Sequence, residues 1–276
     1  MIRETTALTV RELKHWYRNK MQIFVTLIQP IVWLGLFGQA LNLGKLLPTD
    51  TPPSVLAGFF GGAANYFSFM SIGMLSVIVL FTCMFGGMSI VWDRRFGFLN
   101  KLRAAPIPRS SIALSRIAAT TVRAIVQAAI VLMIALVFAY VPGLTGLSVS
   151  PSFGALDLVG LFVAMILLAI MFSSMFTAIA LYVEKQETLF GIVNLLNLPL
   201  MFASAALFPT FLMPDWLKTV ANYNPLTLAV DGARQFVFHT ANPIYPVALD
   251  LLGLLIAAVL FLGLALVVAK KTMSAK

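Results

Sequence analysis

Apolar residues gather in six long runs: Met21–Leu43, Asn65–Val91, Ile112–Tyr140, Asp157–Val183, Leu189–Met213 and Pro246–Ala269. Polar residues crowd the segments between them. Each run exceeds the roughly 20 residues that carry a helix across ~30 Å of hydrocarbon. The pattern therefore predicts six transmembrane helices, since a helix satisfies its own backbone hydrogen bonds in lipid. A β-barrel would show shorter segments of alternating polarity. The expected fold is an all-α integral membrane protein forming one domain over residues 1–276.

Charge adds a direction. If every run is a span, sixteen of the nineteen Lys and Arg residues fall on one side. They are Arg3, Arg11, Lys14, Arg18 and Lys20 before the first run, and Arg94, Arg95, Lys101, Arg103, Arg109, Arg116 and Arg123 around the loop between runs two and three. Lys185 and the tail residues Lys270, Lys271 and Lys276 complete the set. Only Lys45, Lys218 and Arg234 lie opposite. Basic flanks stay cytoplasmic, so both termini are expected inside. The net charge of +9 then reads as a basic rim facing anionic lipid, not as a nucleic-acid surface. The single Cys83 lies inside an apolar run and offers no internal disulfide. The first run is longer than a signal-peptide core and reads as an uncleaved anchor.

Ahead of that run, Thr5–Lys20 has helical periodicity. Ala7, Leu8, Val10, Leu13 and Tyr17 can form an apolar side, with Glu12, Lys14 and Arg18 nearer water. This predicts an amphipathic helix in the headgroup plane, in contact with membrane lipid. A simple basic anchor is the plainer alternative. The inside loop over residues 92–105 repeats the theme: Phe98, Leu99 and Leu102 follow helical spacing, and Arg95, Lys101 and Arg103 supply polarity. Pro106 and Pro108 end that helix, and Ser110 or Ser111 is expected to cap the next. Such a basic helix suits either contact with a soluble partner or simple topology control. Outside, residues 214–245 are semi-polar. Asp215 precedes Lys218 by three positions, and Asp231 precedes Arg234 likewise, so each pair shares a face of a short outer helix. The two halves of the chain differ in loop length and charge, so no inverted repeat is read.

Enzyme chemistry finds no support. His15 and His239 fall on opposite sides, and no metal pair, nucleophile elbow or phosphate-binding loop occurs. No metal site is expected, and any ATP must bind another chain. Asp157, Glu184, Glu187 and Asp250 lie near span ends, which argues against proton coupling through a deep carboxylate. Neutral polar residues do enter the spans: Gln29, Gln39, Asn42, Asn65, Gln127, Asn194 and Asn197. Asn194 and Asn197 share a helix face just before Pro199, with Met201 and Phe202 beyond. They either bond neighbouring helices or line a cargo path. Gly86-Gly87 and Ser173-Ser174 read as close helix contacts.

The ordered fragments Val10-Arg11-Glu12-Leu13-Lys14, Gln29-Pro30, Asp93-Arg94-Arg95-Phe96-Gly97-Phe98-Leu99, Ala105-Pro106-Ile107-Pro108-Arg109, Asn197-Leu198-Pro199, Leu207-Phe208-Pro209, Asn224-Pro225-Leu226-Thr227 and Asp231-Gly232-Ala233-Arg234 span nearly the whole chain. Together they resemble the type-2 ABC transporter permeases, the daunorubicin-exporter-like and nodulation-factor-exporter-like membrane subunits. One position departs: Arg95 stands where that family often has a second acidic residue.

The resemblance implies a six-span exporter subunit in a prokaryotic cell membrane. It would dimerise with a second permease chain, most simply a copy of itself, and work with two ABC ATPase subunits that bind ATP and Mg. It implies a connecting helix over residues 5–20, a coupling helix over 92–105 and re-entrant outer helices over 214–245. Expected coupling residues are Glu12, Arg94, Phe98, Leu99, Leu102 and Arg103. The expected path residues are Gln29, Gln39, Asn194, Asn197, Met201 and Phe202, and the outer motif is Asn224, Pro225, Asp231 and Arg234. The cargo class is a drug, lipid or lipid-linked glycan. A six-span secondary carrier or channel without an ATPase is the alternative.

Overall fold

The computed structural model describes residues 2–40, 58–98, 107–240 and 243–274. Its helices are α1 (Ile2–Arg18), α2 (Lys20–Ala40), α3 (Tyr66–Arg95), α4 (Arg109–Val137), α5 (Ala155–Tyr182), α6 (Gln186–Phe202), α7 (Asp215–Asn222), α8 (Pro225–Phe238) and α9 (Val247–Ser274). Short 3-10 turns occupy Phe138–Tyr140 and Thr210–Leu212, and no strand occurs among the described residues.

Among the described residues, four helices are long and apolar enough to cross a membrane: Tyr66–Arg95, Arg109–Tyr140, Ala155–Tyr182 and Val247–Thr272. The other two runs are helical but differ from expectation. In α2 the apolar stretch is Pro30–Ala40, and the rest of the run past Ala40 lies outside the described residues. The fifth run is not one helix. Pro199 removes a backbone donor from the last turn of α6, which stops at Phe202. Residues 203–209 then fold back, burying Ala205, Ala206 and Leu207.

α3 is the centre of the bundle. In its span window 83% of residues are buried, against 17% for α9. A helix apolar on every side belongs in the interior, whereas α9 shows most of its apolar surface outward, as a lipid-facing helix does. Small residues set the spacing around α3. A Cβ on Gly86 would collide with the Thr120 side chain of α4, and one on Gly87 would stand 2.8 Å from Phe176 Cβ of α5. Between α3 and α4 a hydrogen bond from Thr82 to the fully buried Gln127 adds a polar tie, so Gln127 serves packing.

The helix formed by Arg109–Tyr140 has 32 residues. At ~1.5 Å per residue it is far longer than ~30 Å of hydrocarbon. Arg116 and Arg123 lie in its first half, and α1 packs along that part. The inward stripe of α1 is Thr5, Leu8, Thr9, Glu12, Leu13 and Trp16, which shares Leu8 and Leu13 with the apolar side read from sequence. Ala7 and Val10 are exposed, and Tyr17 is 75% exposed. Glu12 turns inward to meet Arg116 and Arg123 of α4.

Candidate functional site: the charged end of the bundle

The ends of α3 and α5, the start of α4 and the whole of α1 meet in one cluster of charge. Arg116 of α4 donates from Nη1 to Glu12 Oε2 of α1 at 2.5 Å, and from Nη2 to Asp93 Oδ2 of α3. Its Nη1 also reaches Ser89 Oγ at 3.4 Å. Arg123, two turns further along α4, stands 3.5 Å from the same Glu12 oxygen. Arg11 Nη1 stands 3.3 Å from the other Glu12 oxygen, so three guanidiniums meet two carboxylates, two of those guanidiniums in a place that excludes most water. Arg116 and Arg123 are 5% and 7% exposed. Buried charges persist only when paired and hydrogen-bonded, so three helices are held in register by one ion-pair cluster.

Arg94, next to Asp93, turns the other way. Its Nη1 and Nη2 donate to the carbonyls of Val183 and Leu181 at 2.9 Å each. These carbonyls lie at the carboxyl end of α5, where acceptors lack intrahelical partners and the helix dipole favours a cation. Arg94 therefore binds α5 within the chain. Arg11 of α1 lies over the Phe98 ring, 3.8 Å from its centroid, a cation–π contact that ties α1 to the segment after α3.

Trp92–Arg95 form the last turn of α3, not the start of a separate coupling helix. Phe96 ends that helix and Gly97 follows with φ 72°, a left-handed conformation suited to glycine. Helix resumes at Phe98. Leu99, Leu102 and Arg103 lie outside the described residues. The expected serine cap of α4 is also absent from its place: Pro108 precedes the first turn, and no side chain caps it.

The remaining expected residues lie elsewhere. The side chain of Gln29 is outside the described set. Gln39 docks on the α4–α5 connection, donating to the Thr145 carbonyl at 2.7 Å and accepting from Thr145 N at 3.0 Å. Asn194 bonds its own helix through the Phe190 carbonyl at 3.0 Å. Asn197 is buried and points at α3, with Nδ2 2.9 Å from Met84 Sδ. Met201 is buried beside it in the core, whereas Phe202 is 43% exposed. An apolar groove of about 590 Å³ runs between α6 and α7, lined by Leu195, Leu196, Pro199, Leu200, Val220 and Tyr223. Among the path residues expected from sequence, none with a described side chain lines it.

The outer motif is a structural joint. Asn224 caps α8 by accepting from Leu226 N at 2.9 Å, and its amide donates to the carbonyls of Leu200 and Ala203 at the end of α6. Pro225 occupies the first turn of α8, where a missing N–H costs nothing. The expected ion pairs within α7 and α8 do not form among the described residues. Arg234 Nη2 instead donates to the Phe69 carbonyl at 2.9 Å, with its guanidinium 3.5 Å over the Phe69 ring. Asp231 accepts from Ile244 N and Tyr245 N. Burial explains the change: both side chains find backbone partners that an exposed pair would leave to water. Asp250 also departs from expectation, being completely buried although it lies near a helix end. Sequence reading missed Arg116 and Arg123 as site residues. Their position inside an apolar run, with Glu12 the one acidic residue of the amphipathic segment 5–20, was the available signal.

A family profile described as ABC-2 type transporter matches residues 3–238. The chain belongs to this family of ABC transporter permeases, as transport components of the membrane. Among its relatives, transport permease ycf38 of Porphyra purpurea is 30% identical over 87% of this chain and 76% of its own length. The doxorubicin resistance ABC transporter permease protein DrrC of Mycobacterium tuberculosis (strain ATCC 25618 / H37Rv) is 23% identical over 92% of this chain and 82% of its own. The daunorubicin resistance ABC transporter permease protein DrrB1 of Streptomyces coeruleorubidus is 22% identical, covering 66% and 63% respectively.

Proposed function

We propose that this chain is the membrane-spanning half of an ATP-driven exporter and that a separate ABC ATPase chain binds ATP and Mg. Two permease chains, most simply a homodimer, would work with two ATPase subunits. In this reading α2 and α6 complete six spans, both termini are cytoplasmic, and the membrane is that of a prokaryotic cell. Outside the prokaryotes, the similarity to ycf38 raises the same function in another membrane.

The observation that carries the proposal is the Glu12–Arg116–Asp93 cluster. It joins α1 to the last turn of α3 and the start of α4, the two helices that flank residues 96–108. A push on that segment from an ATPase would move α1, α3 and α4 as one body. Leu99 and Leu102 are proposed as apolar anchors in an ATPase groove, with Arg103 orienting the contact. Glu12, Arg94 and Phe98 transmit the displacement inward through Arg116, the end of α5 and Arg11. ATP can bias the membrane helices only by contacting their two states differently.

The cargo is proposed to be amphipathic or apolar, as for the relatives named for doxorubicin and daunorubicin resistance. Its path would follow the groove between α6 and α7 beside Leu195 and Tyr223, with Asn194 and Phe202 on α6 and Gln29 on α2 proposed as further path residues. Purifying a tagged chain from native membranes in mild detergent tests the partnership. A co-purifying chain with a phosphate-binding loop, and ATP hydrolysis in the eluate, is the expected result. A chain that purifies alone and still transports would support the secondary-carrier reading.

A further inference from the structure

Docking of α1 on α4 leaves the opposite side of the same helix turned away from the protein. Ala7, Val10, Arg11, Lys14 and Arg18 are exposed there, three or four positions apart, so they share one face. With His15 and Asn19 they line an open groove of about 690 Å³. Among the described residues, no acidic side chain lines it. Glu12 faces inward to Arg116 and Arg123, and Glu4 lies in the first turn of α1, before the groove begins. Arg11 is partly engaged, reaching Glu12 Oε1 at 3.3 Å and covering the Phe98 ring. Lys14 and Arg18 have no ion-pair partner among the described residues.

The place of the groove narrows what can fill it. Arg18 ends α1 and Lys20 begins α2, so Asn19, which closes the groove, is the corner between the two helices. Beyond that corner α2 exposes Met21, Phe24 and Ile28, an outward apolar surface. A row of cations directly before an exposed apolar helix matches the order of a bilayer, phosphate first and hydrocarbon next. Apolar insertion fits poorly, because Leu8, Leu13 and Trp16 face the bundle and only Ala7 and Val10 are apolar in the groove. Ile2 and Tyr17 are exposed but stand outside it.

We propose that this groove binds the phosphate of an anionic membrane lipid, with Lys14 and Arg18 as its principal donors and Arg11 as a third. The helix would then meet the membrane through headgroup charge, not through the apolar side that its periodicity suggests. The site needs no ATPase and no cargo, so a chain that transported without an ATPase would leave it standing.

The test uses the full-length protein in detergent, stripped of lipid and titrated separately with phosphatidylglycerol, phosphatidylcholine and glycerol phosphate. Phosphatidylglycerol should bind and raise the melting temperature by about 5 °C, and added salt should weaken it. Phosphatidylcholine should give less than about half that rise, and glycerol phosphate none at the same concentration. Lys14→Gln with Arg18→Gln should weaken phosphatidylglycerol roughly thirtyfold, about fivefold for each cation lost near an anionic lipid surface. Both side chains are exposed, so the lipid-free melting temperature should stay close to that of wild type. Exchanging the two cations, Lys14→Arg with Arg18→Lys, should restore binding. Equal gains from both lipids would overturn the proposal, since apolar contact would then suffice. Unchanged affinity in the glutamine variant would place the lipid elsewhere, and tight binding of glycerol phosphate would mean a soluble anion as ligand. A glutamine variant that kept its lipid and lost a co-purifying protein would assign the groove to that protein.

Discussion

Glu12 Oε2 lies 2.5 Å from Arg116 Nη1, joining residues 104 positions apart in sequence. The contact makes α1 a protein-packed helix whose position depends on a charge in α4. It also explains how α4 tolerates two arginines: Glu12 and Asp93 supply the opposite charges and the acceptors that burial removes from water.

Removing one side of that pair should be costly. Glu12→Ala leaves Arg123 without its carboxylate and Arg116 with Asp93 alone, a loss of roughly 3–5 kcal/mol by analogy with broken buried pairs. Thermal unfolding in detergent should show a large fall for Glu12→Ala. Arg11→Ala should show a small one, because that side chain is half exposed. Equal, small effects would mean that Glu12 is solvated and that the cluster does not hold α1.

Gly73 is expected to be intolerant for a different reason. A Cβ there would run into the backbone carbonyl of Ala206, part of the fold-back after α6. Backbone cannot rotate away as a side chain can, so Gly73→Ala should cost about 1–3 kcal/mol. Gly35, with nothing near its Cβ position, should accept alanine freely. Comparing the two melting temperatures checks the packing of α3 against residues 203–209.

Asn224 combines two caps in one side chain, accepting from α8 and donating to α6. Asn224→Asp keeps the acceptor but sets a carboxylate oxygen against the carbonyls of Leu200 and Ala203. It should therefore destabilise at least as much as Asn224→Ala, for which a lost cap alone costs about 1 kcal/mol. An ordinary helix cap would accept aspartate as well as asparagine. Full stability in Asn224→Asp would show that the link to α6 is not formed.

The two asparagines of α6 should separate in function. Asn197 is buried against Met84, so Asn197→Leu should lower stability by about 0.6 kcal/mol and affect all cargoes alike. Asn194 bonds only its own helix among the described contacts. Its replacement by leucine should leave melting unchanged and alter cargo affinity. Transport assays with a panel of amphipathic dyes, run beside melting curves, read both effects.

Much of this architecture is legible in sequence because hydrophobic length alone marks a span. The runs beginning at Asn65, Ile112, Asp157 and Pro246 each became one long helix. The run at Leu189 begins as α6 but does not continue as one helix to Met213, because apolar composition is blind to direction. Ala205, Ala206 and Leu207 are buried past the end of α6, with Ala206 against Gly73 of α3. In α1, Leu8 and Leu13 of the apolar side do face inward, but the place of Glu12 beside them was hidden, since periodicity ranks Ala7 and Val10 above it. Only the arginines of α4, far away in sequence, reverse that ranking. The i, i+3 spacing of Asp231 and Arg234 was real, but spacing does not reveal the backbone partners that each prefers once buried.

The most direct measurement is ATP-driven export in vesicles holding this chain with its ATPase, comparing wild type with Leu99→Asp. The account expects wild type to move an amphipathic dye only while ATP is hydrolysed. In Leu99→Asp the membrane chain should remain folded, while dye movement and dye-stimulated hydrolysis both fall about tenfold, the equivalent of about 1.4 kcal/mol. Dye movement by wild type under an ion gradient without ATP, or unimpaired coupling in Leu99→Asp, would contradict it.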